Sequence, residues 1–183
     1  DAIGLKLNQE PFNDIRVRIA MQKAINLEEV ATAYYGYDEL TLPGLWDPAL
    51  TSWSTVGTWD DELMDEYTYD PEGAKQLLAE AGYPDGFTFT ITVPSNYQPH
   101  VDTATVLVEQ LKAVGINATI QPVEWESWVQ DTYMGRQFQS TVVGFDSSTL
   151  NASGMLARWV SDNDKNMINY NNPDYDAAFA AKG

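Results

Sequence analysis

The chain has 183 residues, of which 27 are acidic and 10 are basic, so its formal net charge at pH 7 is −17. Nucleic-acid phosphates and anionic lipid surfaces attract clustered Lys and Arg, so this acidic balance argues against DNA, other nucleic acids and anionic membranes as partners. The sequence has no cysteine, which excludes disulfides and thiolate chemistry, and no run of about 18 apolar residues that could span a bilayer.

The N-terminal part begins with a short predicted strand, Gly4–Asn8. Apolar residues recur three and four positions apart from Asp14 to about Asn26, which predicts an amphipathic helix, and a second helix is expected over Leu27–Tyr35. Residues 37–69 are the least regular and contain three tryptophans, Trp46, Trp53 and Trp59. A loop of this length is usually functional or wraps a partner surface, but its tryptophans could equally cover the core of the domain.

The central stretch has the clearest pattern. Asp70, followed by proline, is a typical helix start, and apolar residues then repeat at helical spacing up to Gly82, which ends the helix. Aromatic and β-branched residues predict strands over Phe87–Val93 and Ile116–Val123. The helix between them, Val101–Val114, makes this a βαβ unit, so the two strands should be parallel with the helix packed across them.

The C-terminal part continues the alternation of helices and strands. The predicted elements are a helix over Glu124–Gly135, a strand over Phe138–Phe145, a helix within Ser148–Val160, and a last helix over Tyr175–Ala181 capped by Asp174. This order predicts the α/β fold class, with a mostly parallel sheet covered by helices on both faces. We expect a single α/β domain over residues 1–183.

Four segments of the chain, in this order, resemble one known family. They are PFNDIRVRIAMQKAIN, then DPEGAKQLLAEAGYPDGF with LKAVGINATIQPVEW, then GRQFQSTVVGF, and finally NMINYNNPDYDAAF. These segments are similar to motifs of the family 5 solute-binding proteins of bacterial ABC transporters. Members of that family are extracytoplasmic receptors for oligopeptides, dipeptides, nickel complexes and some oligosaccharides. The resemblance covers most of the chain and implies a binding protein.

The resemblance also implies an architecture. Family members have two lobes, as in other periplasmic binding proteins, and bind their ligand in the cleft between the lobes. This chain resembles the second, C-terminal lobe, so we expect the first lobe to be absent and the chain to supply one wall of the cleft. A signal peptide or lipid anchor would then belong to the missing part.

The resemblance further implies how the full-length protein works. It would be a monomer outside the cytoplasm, either free in the periplasm or a lipoprotein at the cell surface. There it would capture a small solute, such as an oligopeptide, a dipeptide or a sugar-like molecule, and deliver it to an ABC permease. No cofactor is expected.

Candidate binding residues follow from the predicted sheet. Ligands of open α/β sheets bind beyond the carboxyl ends of the strands, which here lead into residues 94–100, 123–128 and 145–151. These loops contain aromatic side chains, which offer contact area, and short polar side chains, which orient a ligand. The candidates are Tyr97, His100, Trp125, Trp128, Phe145, Asp146, Ser147 and Ser148.

Trp125 and Phe145 matter most, because they match the positions of the family's EW and GW motifs that line the cleft in peptide-binding relatives. We expect them to lie together with Asp146–Ser148 on one partly exposed face, although Trp125 could instead pack on the core at a helix start. His100 is interpreted as a surface or cleft-edge histidine rather than a metal ligand.

One position departs from the family pattern. Peptide receptors of the family often have an Asp three residues after the GW tryptophan, where it pairs with the α-amine of the ligand. Ser148 occupies that position here, and the nearest acid is Asp146. An α-amine in a desolvated cleft needs a carboxylate partner. Either Asp146 supplies it through a remodelled loop, or a neutral or differently charged solute is favoured over a zwitterionic peptide.

Catalysis and metal binding have little support in the sequence. It has one histidine and lacks the GxSxG and HExxH motifs, so serine triads and zinc hydrolases are missing their parts. The acidic segment after Ser161 lacks the Gly and the Glu that an EF-hand requires. We therefore predict no enzyme and no metal site. The alternative to an importer receptor is a carbohydrate-binding lobe or the binding domain of a polysaccharide-processing enzyme, which the six tryptophans and ten tyrosines also suit.

Overall fold

The computed structural model of the chain describes residues 2–27, 29–30, 68–144 and 152–181. Most of the predicted helix Leu27–Tyr35, the tryptophans of residues 37–67 and the loop 145–151 lie outside the described residues. The strands are β1 (Ala2–Leu5), β2 (Thr88–Pro94), β3 (Asn117–Val123) and β4 (Ser140–Val143). The α-helices are α1 (Ile15–Lys23), α2 (Pro71–Glu80), α3 (Gln98–Lys112), α4 (Trp125–Ser127), α5 (Ala152–Leu156) and α6 (Pro173–Ala181). A π-helix, Trp128–Met134, continues α4, and a 3₁₀-helix, Ala157–Trp159, continues α5.

The four strands form one sheet in the order β1-β4-β2-β3. Strand β4 is parallel to β2 and antiparallel to β1. Two backbone hydrogen bonds fix the direction of β3: the Asn117 N–H donates to the Phe87 carbonyl at 2.9 Å, and the Ser95 N–H donates to the Val123 carbonyl at 2.8 Å. Because the first bond joins the two strand starts and the second joins the two strand ends, β2 and β3 run parallel. The predicted α/β class with a mostly parallel sheet is confirmed.

The described residues divide into two compact units by their contacts. The first comprises residues 2–14, 89–105, 118–144 and 152–181. The second comprises residues 15–27, 29–30, 68–88 and 106–117.

In the second unit, α1 packs against α2 through apolar faces that include the buried Val17 and Leu78. The predicted cap of α2 is confirmed, since the Asp70 carboxylate accepts the Gly73 N–H at 2.8 Å. The turn that leads to β2 requires glycine at position 86, because its φ is +76° and a Cβ there would overlap the Gly115 carbonyl.

In the first unit, Gln139 ties β4 to both of its neighbours. Its side-chain oxygen accepts the Thr90 N–H at 2.8 Å, and its backbone carbonyl accepts the Lys6 N–H at 3.0 Å. A cluster of buried side chains lies against this part of the sheet and consists of Trp128, Phe138, Val143 and Met167. Strand β4 is buried along its whole length, so any polar side chain on it must find its partners inside the protein.

The C-terminal segment is organised by asparagines. The buried Asn166 accepts the Tyr170 N–H at 3.0 Å and donates to the Tyr170 carbonyl at 2.7 Å. The predicted cap of the last helix was wrong: Asn172, not Asp174, accepts the first helical N–H groups, from Asp174 at 3.0 Å and Tyr175 at 3.2 Å. The reason is that Pro173 occupies the first helical position, which moves the cap to the residue before it.

None of the helices in residues 2–27, 29–30, 68–144 and 152–181 combines the length and the apolar character that a membrane span requires.

Candidate functional site

The loops that follow β2 and β3 emerge side by side in the first unit. The hydrogen bond between the Ser95 N–H and the Val123 carbonyl joins them at the carboxyl ends of the two strands. Two residues further along each chain segment stand Tyr97 and Trp125, whose ring centroids are 6.2 Å apart. Two of the three loops expected to meet at this edge therefore do so.

Five side chains from these loops and the helices that follow them form one set of contacting rings, which we call the aromatic cluster. The centroid distances are 4.5 Å between Tyr97 and His100, 5.6 Å between Trp125 and Trp128, 5.9 Å between His100 and Trp128, and 5.8 Å between Trp128 and Tyr133. Trp128 contacts three of the other four rings and lies at the centre. The planes of Trp125 and Trp128 differ by 24°, so these two indoles are stacked.

The cluster has an exposed part and a buried part. Tyr97 and Trp125 are each 44% exposed, whereas Trp128 and His100 are each 5% exposed. Trp125 is less buried than the core residues Leu107 and Val142, which are 8% and 0% exposed. A solute could touch Tyr97 and Trp125 directly, while Trp128 and His100 support them from inside. His100 is therefore an interior residue and not the surface or cleft-edge histidine that we expected.

The backbone after α4 explains how Tyr133 joins the cluster. The segment Trp128–Met134 is a π-helix that ends with the Gly135 N–H donating to the Gln130 carbonyl at 2.8 Å. The wider π turn brings residues five apart to the same side, which aligns Tyr133 with Trp128. Glycine is needed at its end, because a Cβ at Gly135 would lie 2.6 Å from the Asp131 carbonyl oxygen.

The central indole is held by a buried hydroxyl that our sequence prediction missed. The Trp128 Nε1–H donates to Thr141 Oγ1 at 3.0 Å, and the Thr141 hydroxyl donates to the Thr92 carbonyl at 2.6 Å. Thr141 lies in β4 and is fully buried. The sequence feature that could have identified Thr141 is a hydroxyl residue within an apolar strand, because a buried polar group has to be hydrogen-bonded.

Burial lowers the pKa of His100 below its ordinary value of 6.5. The imidazole is therefore neutral near neutral pH and acts as one more ring of the cluster. Within the described residues, no group of three or more His, Asp or Glu side chains is placed to hold a metal ion.

The other candidate residues, Phe145, Asp146, Ser147 and Ser148, lie outside the described residues. Two exposed carboxylates, those of Glu124 and Glu126, flank Trp125 in the sequence. The described loops 94–100 and 123–128 contain no Lys or Arg, so the charge that they bring to the aromatic surface is negative.

Comparison with known proteins gives one family. The model of the "Bacterial extracellular solute-binding proteins, family 5 Middle" matches residues 1–167. Among curated relatives, the heme-binding protein A of Haemophilus influenzae is 27% identical over 96% of this chain, and the dipeptide-binding protein of Escherichia coli is 29% identical over 78%. The glutathione-binding protein GsiB of Salmonella typhi is 32% identical over 67%. The chain covers 32%, 26% and 22% of these relatives, respectively, and so spans a third of their length or less.

Solved structures show the same fold. The oligopeptide-binding protein AppA of Bacillus subtilis, in complex with a nonapeptide, matches 97% of this chain with a TM-score of 0.79 and 26% identity, and the match covers 37% of AppA. The periplasmic binding protein DppA of Helicobacter pylori, in complex with the peptide STSA, matches 97% with a TM-score of 0.82 and 23% identity, and the match covers 34% of DppA.

Proposed function

Since this chain belongs to the bacterial extracellular solute-binding proteins of family 5, we propose that it forms one lobe of an ABC-importer receptor and that its aromatic cluster is part of the wall that binds a peptide. The full-length protein would act outside the cytoplasmic membrane, close around its solute by hinge motion and present it to a permease. Relatives named for dipeptides, glutathione and bound peptides support a peptide or a peptide-like molecule as the solute.

The observation that carries the proposal is the exposed pair, Tyr97 and Trp125, in contact with the buried rings of His100 and Trp128. Large aromatic side chains that are 44% exposed leave apolar area in contact with water, and covering that area with a solute is favourable. Stacking of Trp125 on Trp128 limits the rotamers that Trp125 can adopt, so little side-chain entropy remains to be lost on binding.

The charge beside this pair suggests how a peptide would lie. Glu124 and Glu126 place negative charge next to Trp125, and this favours the ammonium end of a peptide over its carboxylate end. Asp146, the nearest acid to the position of the family's amine-binding Asp, is proposed as a further partner of that ammonium group.

The class of solute can be tested with two defined mixtures. Full-length protein, first unfolded and refolded to remove bound molecules, is incubated with a synthetic mixture of di-, tri- and tetrapeptides, and separately with a mixture of malto- and cello-oligosaccharides. Unbound molecules are removed by rapid desalting, and mass spectrometry identifies what is retained. We expect retained peptides. Retention of oligosaccharides alone would favour the carbohydrate-binding alternative, and retention of neither class would refute a peptide receptor.

Two tyrosines offer a matched pair for assigning the site. Tyr97 is 44% exposed and lies in the aromatic cluster, whereas Tyr69 is 49% exposed and belongs to the second compact unit. We expect Tyr97→Ala to reduce peptide retention severalfold and Tyr69→Ala to leave it unchanged. If the two substitutions reduced peptide retention equally, the aromatic cluster would not be the binding surface.

A further inference from the structure

We propose that Thr141 is a positioning residue of this site: its buried hydroxyl fixes the indole of Trp128 and, through it, the orientation of Trp125. This inference rests on the proposed function, because it concerns the aromatic surface to which that function assigns solute binding. Thr141 itself is fully buried and cannot touch a solute.

The direction of each hydrogen bond follows from the distances. A hydroxyl has one proton to donate, and Thr141 Oγ1 is 2.6 Å from the Thr92 carbonyl oxygen but 3.4 Å from that of Val142. The proton therefore goes to Thr92. The remaining lone pairs of the hydroxyl are free to accept the Trp128 Nε1–H, which lies 3.0 Å away.

Both anchors of this hydroxyl are part of the sheet. Thr141 is paired with Thr92 in the parallel register of β4 and β2. The position of the accepting oxygen is consequently set by two strands, and it fixes where the indole nitrogen of Trp128 can point. The ring face on which Trp125 stacks is thereby fixed as well.

Removing the hydroxyl would leave the indole N–H unsatisfied. Trp128 is 5% exposed, so water has little access to the N–H in place of Thr141. An unsatisfied buried donor is unfavourable, and the ring can regain a partner by turning toward solvent. That movement would take away the support of Trp125.

The neighbouring residue provides an internal control. Ser140 is also fully buried in β4, and within the described part of the chain its Oγ has no hydrogen-bond partner. Ser140→Ala removes a buried hydroxyl from the same strand without touching the Trp128 hydrogen bond. Packing alone does not call for a hydroxyl at position 141, because valine has nearly the same shape and favours strands.

The experiment compares four variants of the full-length protein: Thr141→Val, Thr141→Ser, Ser140→Ala and Trp125→Ala. The first measurement is far-ultraviolet circular dichroism of the free protein, in which two stacked indoles give an exciton couplet. The part of the couplet that is lost in Trp125→Ala reports the stacking of Trp125 on Trp128. The second measurement is the dissociation constant of the tightest-binding peptide from the synthetic mixture.

We expect Thr141→Val to lose the couplet and to weaken peptide binding about fivefold or more. Thr141→Ser keeps the hydroxyl, so its couplet and its peptide affinity should remain close to those of the wild type. Ser140→Ala should change neither the couplet nor the affinity. A couplet that survives in Thr141→Val would overturn the positioning role. A lost couplet with unchanged peptide affinity would show that the orientation of Trp125 does not matter for binding, which also overturns the proposal. If the wild-type protein retains no peptide, the proposed function fails, while the couplet alone decides whether Thr141 orients Trp125.

Discussion

Asn166 begins one of the segments that resemble the family, and its hydrogen bonds give it a structural role. The side chain is 1% exposed. Its Oδ1 accepts the Tyr170 N–H at 3.0 Å, and its Nδ2 donates to the carbonyls of Tyr170 at 2.7 Å and Val160 at 3.2 Å. Because one amide joins two segments of the chain, we expect Asn166→Ala to destabilise the fold without altering the binding surface.

The expected magnitude follows from the groups that lose their partner. A buried donor or acceptor left unsatisfied costs about 1–3 kcal/mol. These groups are part-buried, so water can replace some of the lost bonds, and we expect the free energy of unfolding to fall by about 2 kcal/mol. For a chain of this size that corresponds to a decrease in Tm of about 4–8 °C.

Urea unfolding of the Asn166→Ala and wild-type chains, followed by circular dichroism, measures this difference. Asn171→Ala is the control, because Asn171 lies in the same segment but is exposed, and its effect should stay within about 0.5 kcal/mol. The reasoning is refuted if Asn166→Ala is as mild as the control, since the amide would then not hold the segment together.

Three further predictions concern stability. Gly86→Ala should cost about 3 kcal/mol because of its φ of +76° and the overlap with a backbone carbonyl, whereas Gly82→Ala, with open space around it, should cost about 1–2 kcal/mol in the same urea assay. Asn172→Ala should lower the free energy of unfolding by about 1 kcal/mol, and Asp174→Ala should lower it by less than about 0.5 kcal/mol. The reverse order would show that Asp174 is the cap, as we predicted from the sequence. The pKa of His100 is lowered in the folded state, so the stability that it contributes is present above pH 6.5 and is lost as the pH falls through the folded pKa. His100→Gln should therefore flatten that part of a profile of melting temperature against pH.

The sequence predicted the elements that depend on local signals. The Asp70 cap and the glycine end at Gly82 require a particular side chain and a positive φ, respectively, and both are visible in the sequence. The parallel β2–β3 pair follows from the order strand, helix, strand, which permits few alternatives.

Burial within the site was not predictable in this way. Trp125 and Trp128 have the same side chain three residues apart, yet one is 44% and the other 5% exposed. The difference depends on contacts with His100 and Thr141, which are distant in sequence. The π-helix was not predictable either. Its hydrogen-bond pattern depends on the close approach of Gly135 to the Asp131 carbonyl, and the apolar periodicity of the segment does not reveal it.

The central claim is that Trp125 belongs to the solute-binding surface, and one pair of measurements on the full-length protein tests it most directly. Calorimetric titration of wild type and Trp125→Ala with the same peptide gives the change in affinity, and thermal unfolding gives the change in Tm. We predict a loss of more than about 1 kcal/mol of binding free energy with a nearly unchanged Tm, since the ring is 44% exposed. A sharp fall in Tm with unchanged affinity would instead make Trp125 a packing residue and contradict the proposed site.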